Sequence, residues 1–210
     1  MAKGPKIQRA KDCVRLCSFG ALALWRFGPL FSTVFLDRDG TINRRIVGDW
    51  VSREEDFVLL PGVGETLAAW QRAGLRLIVI SNQRGVEIGR LTAADVDRIH
   101  AYMASLLLPF GVRLDAIYYA PTGSGPRAKP APGMLLDAKR DFPAIDLAKS
   151  VMIGDALRDC AAGASAGCAT ILLAPADERD VMLAEAKAKQ IRVDHCVASL
   201  SACRSLVLPE

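Results

Sequence analysis

Asp37 and Asp39 stand two residues apart in the run Asp37-Arg38-Asp39-Gly40-Thr41-Ile42-Asn43, directly after Thr33-Val34-Phe35-Leu36. Two carboxylates that close repel each other unless something cationic sits between them. A divalent ion meets that need, and magnesium suits hard oxygen ligands while commonly holding substrate phosphates. The competing reading is an Asp-Gly turn with solvated acids, since that dipeptide is a common turn signal. The other residues able to do chemistry decide between the two. Ser81-Asn82-Gln83 follows the apolar run 75–80, Lys129 lies in a Pro/Gly/Ser-rich loop over 121–132, and Gly154-Asp155 follows the run 150–153, with Asp159 four residues on.

The elements that carry these residues read as alternating strands and helices. Residues 33–36, 75–80, 116–119, 150–153 and 170–173 are short runs rich in β-branched and apolar types, the composition of buried strands. Helical spacing appears from 62 to a stop at Gly74, over 92–108 with Thr92 as N-cap, and over 133–140. It returns over 156–166, stopped by Gly167, and over 180–190, and the tail 196–208 supplies a last strand and helix. Such alternation predicts an α/β fold, a three-layer open parallel sheet of Rossmann-like type with helices on both faces. Residues 44–51, with Gly48-Asp49 between apolar pairs, predict a flap hairpin over the mouth of the site. The connections leave room for a minimal cap domain or none. In an open parallel sheet the carboxyl ends of the strands line one crevice where ligands bind. Asp37, Ser81 and Asp155 all fall there, and Lys129 is within reach. Together they suit a phosphoryl group: one carboxylate to attack, a second to handle the leaving-group proton, cations to hold the oxygens.

Composition bounds the rest. The chain of 210 residues is 51% hydrophobic and 24% charged, which excludes disordered and fibrous classes. Its formal net charge is +4, yet residues 1–30 hold six Lys/Arg against one acid, leaving residues 31–210 at −1. The basic character belongs to the leading segment, read as an N-terminal extension of residues 1–30 before a domain of 31–210. Its apolar run, 16–25, is too short to span a bilayer. The six cysteines form no C-x-x-C pair and read as isolated small hydrophobes, which points to a reducing, cytoplasmic compartment. His100, inside a helical pattern, reads as a half-buried or surface histidine rather than a base.

The pattern Asp37-x-Asp39-Gly40-Thr41, Ser81-Asn82-Gln83, Lys129-Pro130-x-Pro132-Gly133-Met134 and Gly154-Asp155-x-x-x-Asp159 resembles the haloacid dehalogenase (HAD) superfamily of phosphohydrolases. The first two segments are most similar to its branch of D-glycero-D-manno-heptose 1,7-bisphosphate 7-phosphatases and histidinol-phosphate phosphatases. The resemblance implies that Asp37 is the nucleophile, forming an aspartyl-phosphate, and that Asp39 protonates the leaving alcohol and then deprotonates water. It implies that Ser81 binds phosphoryl oxygens, that Lys129 neutralises nucleophile and phosphate, and that Mg²⁺ is held by Asp37, the Asp39 backbone carbonyl and Asp155. Thr41, Asn43, Asn82, Arg84 and Arg127 are the candidate substrate contacts. Asp159 reads equally as a supporting partner of the metal ligands or as a helix first-turn acid.

Two departures qualify the resemblance. Many heptose bisphosphate phosphatases carry a Cys/His zinc loop before the Lys-Pro motif, whereas residues 120–128 here contain neither residue, so no zinc is expected. The arginine that precedes the lysine in the family is replaced by Ala128, with Arg127 one position earlier. The expected function is Mg²⁺-dependent hydrolysis of a small phosphorylated sugar by a monomer, with no membrane partner. Histidinol phosphate is an alternative substrate. A polynucleotide 3′-phosphatase, which should need a basic stripe, ranks below, as does a catalytically silent scaffold.

Overall fold

The computed structural model describes residues 31–208, so the extension expected over 1–30 lies outside the described residues. Six strands form one sheet: β1 (Thr33–Leu36), β2 (Arg76–Asn82), β3 (Ala116–Ala120), β4 (Ser150–Gly154), β5 (Ala169–Leu173) and β6 (His195–Val197). Their order is β3-β2-β1-β4-β5-β6, and every neighbouring pair is parallel. The helices are α1 (Val63–Arg72), α2 (Ala93–Leu107), α3 (Gly133–Asp141), α4 (Leu157–Ala166), α5 (Arg179–Ala188) and α6 (Arg204–Val207). The expected α/β architecture is the one observed.

The alternation of side chains across each strand builds the layers. Val34 and Leu36 of β1 join Leu77, Val79, Val151 and Ile153 on one face, under Leu67 and Trp70 of α1, Ile99 and Met103 of α2 and Val207 of α6. Phe35 points the other way with Ile78, Ile80 and Met152, and meets Met134, Leu135 and Ala138 of α3 and Ala162 of α4. α5 closes that side through Ala186, packed with Leu172 and Cys160. Every residue of β1 and β4 is buried, so both strands must be apolar on both faces. α2 begins where expected: Asp95 N–H donates to Thr92 Oγ1, and Thr92 N–H donates back to Asp95 Oδ2, a capping box.

Register positions the site. Leu36 lies opposite Val79 of β2 and Ile153 of β4, so Asp37 is level with Ile80 and Gly154. Ser81 and Asp155 each stand one residue beyond that level. The chain leaves β1 toward β2 on one side and returns through β4 on the other. The crevice above β1 is therefore the switch point of the sheet, where such folds bind ligands.

The flap hairpin is not formed. Residues 44–51 contain no paired strand, only a turn at Val47 and Gly48, and the nearby isolated bridges are Asp39 with Asn43 and Asn43 with Leu59. Val47 is 94% exposed, while Val51 and, in part, Ile46 meet the core as loop residues with no ladder between them. An isolated two-stranded hairpin is marginal. The segment is an irregular loop that still reaches the mouth of the crevice.

Candidate active site

Lys129 is the centre of the site. Its side chain is fully buried, and Nζ lies 2.6 Å from Asp37 Oδ1 and 2.7 Å from Asp159 Oδ1, while donating to the Ile80 carbonyl at 2.7 Å. Burial by itself would pull the ammonium pKa down, but Asp159 and Asp37 outweigh it and hold Lys129 above its usual value. Lys129 is therefore charged. Asp37 is buried too, and that burial pushes its carboxyl up to about 6 against the pull of Lys129.

Three carboxylates, from Asp37, Asp155 and Asp159, bring oxygens within 4.8 Å of one another. Asp155 is pushed up to about 7 by burial, then by Asp37 and Asp159, with Arg45 and Arg158 opposing. Its Oδ1 is buried without a hydrogen-bond partner. The donor set is all oxygen, carries more negative charge than Lys129 offsets, and leaves one buried oxygen unsatisfied. It fits a hard divalent cation. Glycines make the approach possible. A Cβ on Gly40, whose φ is +90°, would lie 1.9 Å from Asp155 Oδ2, and one on Gly154 would lie 2.3 Å from Asp159 Oδ2.

Asp39 has the opposite environment. It accepts from Arg38 Nη2 at 2.8 Å, Asn43 Nδ2 at 3.0 Å and Gln83 Nε2 at 3.0 Å. Burial would raise its pKa, but Arg38, Asn43 and Gln83 prevail and hold the carboxyl below the usual range. Two aspartates two residues apart are thus pushed in opposite directions, which is how one site separates two carboxylate roles.

The remaining candidates divide into lining and support. A cleft of about 410 Å³ is lined by Asp37, Asp39, Asn82, Arg84 and Lys129, with the loop residues Arg45 and Trp50. Ser81 is buried beside it, its hydroxyl accepting from Gln83 Nε2 at 2.8 Å. The polar atoms of Asn82 are taken up by Lys129: Nδ2 donates to the Lys129 carbonyl and Oδ1 accepts from the Lys129 N–H, each at 2.9 Å. Asn43 orients Asp39, and Thr41 is buried with an unpartnered hydroxyl. Arg127 stands outside the cleft lining, its Nε 2.9 Å from Asp137 Oδ2. Asp159 Oδ2 accepts from the Ala156 N–H at the start of α4, the place of a helix first-turn acid, while Oδ1 meets Lys129.

Sequence reasoning passed over Arg38, Gln83 and Arg158. Arg38 is fully buried against Asp39, and Arg158 lines the cleft from the first turn of α4. The signal for all three was their place inside motifs already singled out, Arg158 standing within Asp155-x-x-x-Asp159. His100 is 6% exposed, with its ring 5.6 Å from that of Tyr119, so it is a core residue. Among the described residues the cysteines, Cys160, Cys168, Cys196 and Cys203, are all free. No described helix is long and apolar enough to cross a membrane.

A parallel sheet with a nucleophile-type aspartate at its switch point, paired to a buried lysine, defines a class, and sequence comparison agrees. The HAD-hydrolase-like family model matches residues 126–203. The D-glycero-alpha-D-manno-heptose-1,7-bisphosphate 7-phosphatase of Mycobacterium bovis is 35% identical over 156 residues, covering 70% of this chain and 82% of the relative. The D-glycero-beta-D-manno-heptose-1,7-bisphosphate 7-phosphatase of Vibrio cholerae is 40% identical over 150 residues, covering 67% and 79%. The crystal structure of D,D-heptose 1,7-bisphosphate phosphatase from B. bronchiseptica, complexed with magnesium and phosphate, matches with a TM-score of 0.75 and 31% identity, over 85% of this chain and 98% of that one. The chain belongs to the HAD-like phosphatase family and is a phosphatase, as the four motifs implied. Within that family its relatives are heptose bisphosphate 7-phosphatases, named for both anomers.

Proposed function

We propose that the chain is a Mg²⁺-dependent phosphomonoester hydrolase that releases phosphate from a sugar bisphosphate, first of all D-glycero-D-manno-heptose 1,7-bisphosphate. The observation that carries this reading is the 2.6 Å contact of Lys129 with Asp37 beside the three-carboxylate cluster, at the floor of a cleft that Arg45, Arg84 and Arg158 also line. The relatives' names supply the sugar. The arginines supply the reason for a substrate with a second anionic group.

In this reading Asp37 attacks phosphorus, the bond to the sugar oxygen breaks, and an aspartyl-phosphate forms. Asp39, having taken up a proton from solvent once the phosphate has arrived, gives it to the departing alkoxide and later takes one from the water that hydrolyses the intermediate. Asp39 is ionised while the cleft is empty; arrival of an anionic phosphate places negative charge beside it, the sign of charge that raises a carboxyl pKa. Lys129 neutralises Asp37 so that one anion can approach another, and the Ser81 hydroxyl is a donor for the phosphoryl oxygens. The carboxylates of Asp37 and Asp155, with the Asp39 carbonyl, would hold magnesium. A bound Mg²⁺ supplies charge neutralisation at the phosphoryl oxygens.

The test is phosphate release, with and without Mg²⁺, from both anomers of the heptose bisphosphate, histidinol phosphate and a 3′-phosphorylated oligonucleotide. Turnover that requires Mg²⁺ and prefers a heptose bisphosphate is expected, with hydroxylamine-labile phosphate trapped by acid quench on the wild type and none on Asp37→Asn. Preference for histidinol phosphate or for the oligonucleotide would replace the substrate assignment, and no release from any of them would overturn it.

A further inference from the structure

Arg45 stands in a position that catalysis as described does not use. Its Nη1 donates to Asp155 Oδ2 at 2.9 Å, bridging the loop after β1 to the end of β4 across 110 residues of sequence. Arg45 lines the cleft at Asp37, and together with Asp155 it also lines a second cavity of about 530 Å³, walled by Gly40, Leu60, Leu173 and Leu200. The guanidinium therefore stands between two open spaces.

The cluster holds two cations of different kinds. Lys129 is fully buried and fixed by contacts to Asp37, Asp159 and a carbonyl, whereas the Arg45 side chain is 42% exposed and has this one ionic partner. A divalent ion seated between Asp37 and Asp155 would bring two positive charges beside a guanidinium already on the same carboxylate, and like charges at such distances repel strongly. Sharing one carboxylate costs both cations, and Arg45 is the one with space and a flexible stem with which to leave. On release, its tether keeps its head near the cleft lined by Arg84 and Arg158. A planar guanidinium there is suited to grip a phosphate with two parallel hydrogen bonds.

We propose that Arg45 is a tethered competitor of the metal: it occupies Asp155 in the metal-free chain and, once a divalent cation displaces it, turns into the Asp37 cleft to hold the substrate's second phosphate. The latter half rests on the bisphosphate reading above. The device couples the two ligands, because a bisphosphate that holds Arg45 away from Asp155 must tighten metal binding by the same factor that the metal tightens the bisphosphate.

The experiment is calorimetric titration of the metal-free protein with Mg²⁺, with no substrate present, for wild type, Arg45→Met and Arg44→Met. Arg44 is exposed, carries the same charge one residue away and makes no contact with Asp155 among the ion pairs described. Losing the competitor should tighten Mg²⁺ binding about three- to tenfold in Arg45→Met, the worth of one partly exposed ion pair, and leave Arg44→Met within about twofold of wild type. Arg45→Gln serves if the Met variant fails to fold. Equal affinities for wild type and the Arg45 variants, or equal tightening in Arg44→Met, would overturn the competition. Steady-state kinetics then test the second half. KM for the bisphosphate should rise about tenfold in Arg45→Met, with KM for the 7-monophosphate unchanged, and a parallel rise for both would overturn it. A wild type that binds Mg²⁺ yet hydrolyses neither sugar phosphate defeats the substrate assignment, while the titration still decides the competition at Asp155.

Discussion

Asn82 and Lys129 exchange two hydrogen bonds, each 2.9 Å long, between the amide side chain of one and the backbone of the other. The end of β2 is thereby fastened to the loop that carries the ammonium, 47 residues away in sequence. Asn82 acts on the reaction through Lys129. Replacing it with Ala removes both bonds, each worth about 1 kcal/mol, and loosens the lysine against Asp37. Turnover of Asn82→Ala should fall about tenfold with little change in KM, and Asn82→Asp, which keeps the acceptor, should lie between it and wild type. A rise in KM at unchanged kcat in steady-state assays would instead assign Asn82 to substrate binding.

Lys129→Met should be more severe. It removes one preorganised cation from the reacting centre, which costs about 10²-fold or more in turnover. It also leaves Asp37 and Asp159 buried without their counter-charge, and breaking a buried pair on one side destabilises by about 3–5 kcal/mol. Phosphate release and chemical denaturation should both register the change. A variant with a near-normal rate would remove Lys129 from the site.

Gly40→Ala tests the approach of β1's loop to Asp155. The added Cβ would lie 1.9 Å from Asp155 Oδ2 at a φ of +90°, so either the loop or the carboxylate must move. The expected outcome is weakened Mg²⁺ binding by calorimetry together with a lower melting temperature. Retention of both wild-type values would contradict the geometry of the cluster.

His100 sets a pH dependence of stability. Burial, then the neighbouring Arg38, lowers its pKa from 6.5 to about 4, with Asp39 opposing. The unfolded chain therefore binds a proton between those two values that the folded chain refuses. Stability attributable to His100 is fully present above pH 6.5 and is lost as the pH falls toward 4. The shift corresponds to roughly 3 kcal/mol. Urea midpoints of the wild type should drop across this window, and His100→Gln should flatten that part of the profile.

The sequence by itself determined the sheet and the identity of its chemical residues. Short apolar runs closed by Asp37, Ser81 and Asp155 could only be buried parallel strands, and parallel strands gather their carboxyl ends at one edge. The strand and helix limits followed from the same periodicity to within about two residues, β2 running on through Ser81 to Asn82, and Thr92 was legible as a cap because its partner, Asp95, is local. The hairpin expected over 44–51 is absent because Ile46 and Val51 meet the core without pairing while Val47 stays exposed, a division that the surrounding core decides and four apolar residues do not.

Only the tertiary structure decided which side chains serve which. Arg127 and Arg45 are both arginines near a motif, yet one is taken by Asp137 and the other meets Asp155. Asn82, which lines the cleft, also fastens Lys129, and Arg38, an unremarked neighbour in the sequence, is the counter-charge of Asp39. These pairings form between residues brought together by the register of β1, β2 and β4 and by the course of loops without periodicity. Periodicity reports which way a side chain faces; partner choice depends on distances that exist only once the chain has folded.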